Sequence, residues 1–236
     1  MITLFQFQPC LGVRNPSPFC LKLETYLKMI EQPYEVADNA NLLKAPKKKF
    51  PYIQDDTPEG SITVADSSFI IDYLKKTYGD PLDQHLSLPE QGTLLAFRRL
   101  MEENLYWVLL YSRWFEDENW VVIRKVYFAD LPIILRNIVP GMVRRDYVKA
   151  MDGHGIGRHS RDEIYDIGER DVKALSDFLG GKPFFMGEAP TSLDATAYGF
   201  LANLIKMELP SVISDYARRF DNLKEYCDRM ESKYWQ

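Results

Sequence analysis

Strand signals in this chain are confined to its first third. Within residues 1–79, short β-branched and aromatic runs alternate with amphipathic ones; from residue 90 onward nearly every apolar repeat has helical spacing. Such a pattern predicts a small mixed α/β unit over 1–79 and an all-helical one over 90–236, joined by a Gly/Pro-punctuated linker over 80–89. With 236 residues, 46% of them hydrophobic, both units have enough apolar side chain for a core.

Ile2, Leu4, Phe5 and Phe7 make a short apolar run suited to a buried strand, followed by a loop through Gly12, Asn15 and Pro16. Helical spacing then begins: Phe19, Leu23, Tyr26, Leu27 and Ile30 form one stripe, and Lys22, Glu24, Lys28 and Glu31 are assigned to the other face. Residues 33–37 read as a second strand, parallel to the first. An aperiodic polar stretch over 38–49 ends in Lys47, Lys48 and Lys49. A strand over 50–53 opens with Phe50 and Pro51, a turn at Thr57-Pro58-Glu59-Gly60 follows, and a returning strand runs over 61–65. Asp66 and Ser67 cap a helix with Phe69, Ile70, Tyr73 and Leu74 on its apolar face, ending at Gly79. The order is βαβ, then ββα.

The helical part opens with a long pattern over 90–115 (Leu94, Phe97, Leu100, Met101, Leu105, Val108), then helical stretches over 121–128 and 132–139, with a break at Pro140-Gly141. Glycines 153, 155 and 157 mark a loop. Ser160 with Glu163 forms a capping box for a helix to Leu179, and Thr191 with Asp194 opens another; each cap contributes ~1 kcal/mol. A last helix covers 221–233.

Charge excludes some roles. The 29 basic and 34 acidic residues are interspersed, for a net charge of -5, so no nucleic-acid partner is expected. No secretory signal is evident, and the richest apolar run, 105–115, is interrupted by Ser112 and Arg113, so no membrane association is expected. Cys10, Cys20 and Cys227 are scattered outside metal-ligand spacing, which suits a reducing, cytoplasmic setting without a disulfide framework. His85, His154 and His159 have no metal spacing either, so no metal is expected.

The chemistry concentrates at Ser17-Pro18-Phe19-Cys20. Ser17 is a good N-cap, and Pro18 at the first helical position forgoes an amide that the helix cannot use. The free amides of that turn, together with the helix dipole, favour a negative atom.

Taken together, the element order, the proline opening the third strand, the acidic-Ser pair before the last helix of the first unit and the helical second unit resemble the cytosolic glutathione transferases, over nearly the whole chain. The runs Ser17-Pro18-Phe19-Cys20-Leu21-Lys22, Phe50-Pro51-Tyr52-Ile53, Ala65-Asp66-Ser67-Ser68-Phe69-Ile70-Ile71 and Glu102-Glu103-Asn104-Leu105-Tyr106-Trp107 are most similar to the branch with the failed-axon-connections and metaxin-like proteins. The resemblance implies a thioredoxin-like N-terminal domain, an all-α C-terminal domain and a homodimer. Glutathione would be the co-substrate and a small hydrophobic electrophile its partner.

By the same resemblance Pro51 is a cis-proline that turns the Phe50 backbone toward the cysteinyl amide of glutathione. Asp66 and Ser67 hold its γ-glutamyl end, and Lys49, in the 47–49 run, meets its glycyl carboxylate. Ser17 is the catalytic residue, its hydroxyl donating to the thiolate. Lowering a thiol pKa of ~8.5 by about two units needs ~2.7 kcal/mol, which a helix terminus (~0.3–1) and a hydrogen bond to a charged group (~1.5–3) together supply. Where glutaredoxin-like members carry a cysteine this chain has Ser17, and where others place a tyrosine in the first strand it has Phe5 and Phe7. Cys20 is expected to be a buried small hydrophobe, whereas Cys10 could approach the site. Tyr106, Trp107, Tyr111, Trp114 and Phe115 are read as core, with some lining an electrophile pocket. Two alternatives stand beside the transferase: a non-enzymatic binding or assembly module, and a glutathione-dependent thiol reductase or peroxidase using Cys10 or Cys20.

Overall fold

The computed structural model describes residues 1–38 and 40–236; Asn39, within the aperiodic 38–49 stretch, lies outside the described residues. Strands β1 (Ile2–Phe5), β2 (Tyr34–Val36), β3 (Tyr52–Thr57) and β4 (Gly60–Ala65) form one sheet in the order β2-β1-β3-β4. β1 and β2 are parallel because helix α1 (Pro18–Met29) carries the chain back between them, whereas the Pro58-Glu59 turn makes β3 and β4 antiparallel. Ile2, Leu4 and Ile53 are fully buried in one cluster with Leu23 and Leu27 of α1 and Ile70 and Leu74 of α2 (Ser67–Tyr78).

The rest is helical: α3 (Leu88–Arg99), a π-helical turn (Leu100–Leu105), α4 (Tyr106–Trp114), α5 (Asp117–Tyr127), α6 (Val139–His154), α7 (Arg161–Leu179), α8 (Ser192–Ile205), α9 (Val212–Ala217) and α10 (Asp221–Tyr234). The long 90–115 pattern is therefore one run of helix that changes its hydrogen-bond spacing for a turn, and such turns are frequent at functional sites. Residues 80–87 pack down: Leu82 and Leu86 are buried, and Asp83 accepts the Ser192 amide at 2.8 Å at the start of α8.

Three expectations are corrected, and one helix was missed. Over 132–139 only a single 3-10 turn, Leu135–Asn137, forms, since Ile133 (78% exposed) and Ile134 (72%) have no surface to pack on, and short helices draw their stability from packing. Pro140 and Gly141 lie in the first turn of α6, where a proline loses no hydrogen bond. Helix α9 was not anticipated. Lys22 and Glu24 are buried, because α1 is enclosed on nearly every side.

The largest part of that enclosure comes from α8, of which all but Ile205 is buried and which packs along α1; α2 and α10 also pack on it. Gly199 allows that approach: a Cβ there would stand 2.6 Å from the Pro18 carbonyl oxygen. One continuous apolar core thus runs from β1 to Trp235 through both units.

Candidate functional site

Ser17 is the N-cap of α1, as its position before Pro18 predicts. Its Oγ accepts the Cys20 amide at 3.4 Å, a long bond, and a hydroxyl that accepts through a lone pair keeps its proton to donate. Capping and donation are therefore compatible. Asn15, fully buried, sets the approach: its Oδ1 accepts the Ser17 amide at 3.0 Å while its Nδ2 donates to the Phe7 carbonyl at 2.7 Å. The helical unit grips the same loop from the other side. Arg113 Nη1 donates to the Pro16 carbonyl at 2.6 Å, its Nη2 donates to Asn203 Oδ1 at 2.9 Å, and Asn203 Nδ2 donates to the Asn15 carbonyl at 3.1 Å.

The Phe50-Pro51 peptide is cis. Phe50 meets the ring of Phe7 edge-on at 5.0 Å, and the β3–β4 register, pairing Tyr52 with Ala65, sets Pro51 beside Asp66. Asp66 caps α2 by accepting the Ser68 amide at 3.0 Å. Its φ of 84° is a conformation that costs a non-glycine residue about 1–3 kcal/mol, and such strain gathers at ligand clamps.

Ser67 is buried at the start of α2. Lys22, only 1% exposed, donates from Nζ to Ser67 Oγ at 3.3 Å, to Ser68 Oγ at 3.0 Å and to Glu102 Oε1 at 2.6 Å. Because the ammonium occupies an acceptor lobe of each serine hydroxyl, both hydroxyl protons are left for an acceptor outside. Burial pulls the Lys22 pKa down, and the Glu102 carboxylate opposes that pull. Glu102 comes from the π-helical turn, so this half of the site also depends on the helical unit. Glu24, for its part, is held by Gln6 at 2.6 Å and by the Tyr34 hydroxyl at 3.0 Å.

Ser17, Phe50, Pro51, Asp66 and Ser67 thus line one end of the sheet, linked through Asn15, Phe7 and Lys22. Lys49 is on the exposed loop before β3, and its neighbour Lys47 lies over the ring of Phe69 at 4.6 Å. Cys20 is fully buried in a small cluster with Ala45 and Phe50, and burial pushes its thiol up to about 12, as a small hydrophobe should behave. Cys10 is half-buried; burial raises its pKa and the Arg113 charge works the other way. Tyr111 and Trp114 belong to the core, while Tyr106 stands edge-on to Phe19 of α1 at 4.9 Å. His154 stacks on Trp107 at 4.3 Å, and His159 Nδ1 is 3.7 Å from Glu163. Among the described residues no three His, Cys, Asp or Glu side chains converge on a metal position, and no helix is long and apolar enough to cross a membrane.

The sequence reading missed Asn15, Lys22, Glu102, Arg113 and Asn203 as parts of this site. A signal existed for two of them. Lys22 falls three residues after Phe19 and four before Tyr26, inside the apolar stripe, and Arg113 interrupts an otherwise apolar run.

The glutathione S-transferase N-terminal domain matches residues 18–119, and the glutathione S-transferase C-terminal domain matches residues 168–230. The isoprene-epoxide glutathione S-transferase of Rhodococcus sp. (strain AD45) is 35% identical, over 99% of both chains. The chain belongs to the glutathione S-transferase family. Within the family it is also similar to Failed axon connections of Drosophila melanogaster, at 31% identity over 99% of this chain and 58% of that protein. Metaxin-1 of Mus musculus is 30% identical over 91% of this chain and 69% of its own length. A glutathione transferase family member from Pseudomonas fluorescens, solved with two glutathione bound, shares the fold with a TM-score of 0.57 at 19% identity, over 98% of this chain and 88% of that one.

Proposed function

We propose that this glutathione S-transferase family member conjugates glutathione to a small hydrophobic electrophile, with Ser17 donating a hydrogen bond to the thiolate. The Phe50 backbone before Pro51 receives the cysteinyl part, Asp66 and Ser67 receive the γ-glutamyl end, and Lys49 meets the glycyl carboxylate. The observation that carries this reading is that the N-termini of α1 and α2, two places where amides and dipoles favour anions, are joined by Lys22, which leaves the Ser67 and Ser68 hydroxyls as donors.

The relative named for isoprene epoxide supports an epoxide as the electrophile. In that reaction the thiolate forms an S–C bond as the C–O bond breaks, and the oxygen, having taken the bonding pair, is protonated by water. The protein would work in the cytoplasm as a homodimer, for which the exposed Phe69 and Leu88 offer apolar surface.

A second reading, a non-enzymatic binding module, is favoured by the likeness to Failed axon connections and metaxin-1. A thiol reductase would have to rest on Cys10, because Cys20 is sealed.

Calorimetric titration of glutathione, with Asp66→Ala as control and thiolate absorbance followed against pH, separates these. Binding that the variant loses, with the bound thiol ionised below neutral pH, supports the transferase, and Ser17→Ala should then raise that midpoint. No heat at millimolar glutathione would overturn it in favour of the binding module.

A further inference from the structure

Arg113 is 5% exposed, and its hydrogen bonds go to neutral acceptors, the Pro16 carbonyl and the carbonyl and side chain of Asn203. Among the described residues it makes no ion pair with a carboxylate. The titratable groups that face it are Cys10 in the loop before α1, Tyr106 on α4, Tyr127 on α5 and Tyr147 on α6. Burial raises the pKa of each of these, so all four are neutral near pH 7. The Tyr127 hydroxyl is buried without a hydrogen-bond partner among the described residues. A buried guanidinium keeps its charge, and a buried charge without a counter-charge is costly unless something in the working protein matches it.

We propose that Arg113 is a positioning residue of the Ser17 site: its guanidinium clamps the 15–17 loop by the Pro16 carbonyl and Asn203, and its unmatched charge is the counter-charge of the sulfur bound at Ser17. The inference rests on the glutathione reading above and adds a residue from the helical unit to it. The Pro16 carbonyl adjoins Ser17 and accepts from Arg113 at 2.6 Å, so a sulfur hydrogen-bonded to Ser17 is within about 10 Å of the guanidinium. At that range, with an effective dielectric constant of about 20, one positive charge lowers a thiol pKa by on the order of one to two units. Ser17 and the helix terminus then act in a field that the second domain supplies.

Three variants separate clamp from charge, each titrated by thiolate absorbance at saturating glutathione after its fold is checked by circular dichroism. Arg113→Gln should raise the bound thiol's midpoint by about one unit, a tenfold loss of thiolate below it. Arg113→Lys, which keeps the charge but not the two-handed clamp, should restore at least half of that shift. Asn203→Asp, close to isosteric, places a carboxylate on the guanidinium and should raise the midpoint with Arg113 still present, so the test survives if Arg113→Gln does not fold. Unchanged midpoints in folded, glutathione-binding variants would overturn the inference alone. Equal shifts in Arg113→Gln and Arg113→Lys would reduce Arg113 to a clamp and overturn the charge role. Wild-type protein that binds no glutathione would overturn the Ser17 reading and this inference with it.

Discussion

Lys22 and Arg113 are both buried cations at the junction of the sheet and the helical unit, yet they are partnered in opposite ways. Lys22 has a carboxylate at 2.6 Å and spends its remaining donors on two serine hydroxyls. Arg113 has carbonyls and one amide oxygen. At the α2 end the charge is neutralised inside the protein, and what remains is orientation, with two hydroxyls fixed as donors. At the α1 end the orientation is fixed too, but the charge is left over. A matched pair is suited to holding a ligand's shape, and an unmatched one to responding to a ligand's charge.

The largest expected effect breaks the matched end. Lys22→Met leaves Glu102 buried without its cation and should cost about 3–5 kcal/mol in urea unfolding. Adding Glu102→Leu should recover most of that loss, because apolar replacement of a whole buried pair is often neutral, while glutathione affinity stays reduced for want of oriented Ser67 and Ser68. If the double variant binds glutathione as wild type does, the orienting role of Lys22 is wrong.

At the unmatched end the loss of stability should be smaller. Arg113→Gln removes hydrogen bonds and an uncompensated buried charge together, so the two changes offset and unfolding should shift by only about 1–2 kcal/mol. A loss as large as that of Lys22→Met would mean that the guanidinium has a counter-charge in the unliganded protein.

The smallest effect sharpens the Lys22 side alone. Asn104, in the π-helical turn that carries Glu102, donates to Asp171 Oδ2 at 2.7 Å, and burial pushes the Asp171 carboxyl up to about 6. A carboxyl whose folded pKa lies above its unfolded value of about 3.9 binds more protons when folded, so its stabilisation is present below pH ~4 and is lost as pH rises to about 6. Asp171→Asn should flatten the fall in melting temperature over that window and leave the bound thiol's titration at Ser17 unchanged. A parallel change in both would tie the two ends together.

Much of the scaffold was legible because it is written in local rules. Ser17 before Pro18, Asp66 before Ser67, Ser160 with Glu163 and Thr191 with Asp194 each act within one helical turn, and all four cap helices in the structure. The errors share a different cause. The stretch over 132–139 has helical spacing but nothing to pack against, and Lys22 and Glu24 carry charge into a helix covered from several sides, by α8, by α2 with Glu102, and by Gln6 and Tyr34 near the sheet. Periodicity reports that a face exists and is silent on what covers it. The candidate site was half legible for the same reason: its backbone-anchored members stand in short motifs, whereas Arg113 and Asn203 act on residues 16 and 15 from distant parts of the chain.

That last separation bears on synthesis. Asn203 is 188 positions from the Asn15 carbonyl it holds, and Arg113 is 97 from Pro16. At about 5–20 residues per second, the loop leaves the ribosome roughly 10–40 s before the amide that braces it. The sheet can pair in that interval, but the 15–17 loop waits, so a nascent or truncated chain carrying every recognisable motif of the first domain would still lack the brace that holds the loop before α1.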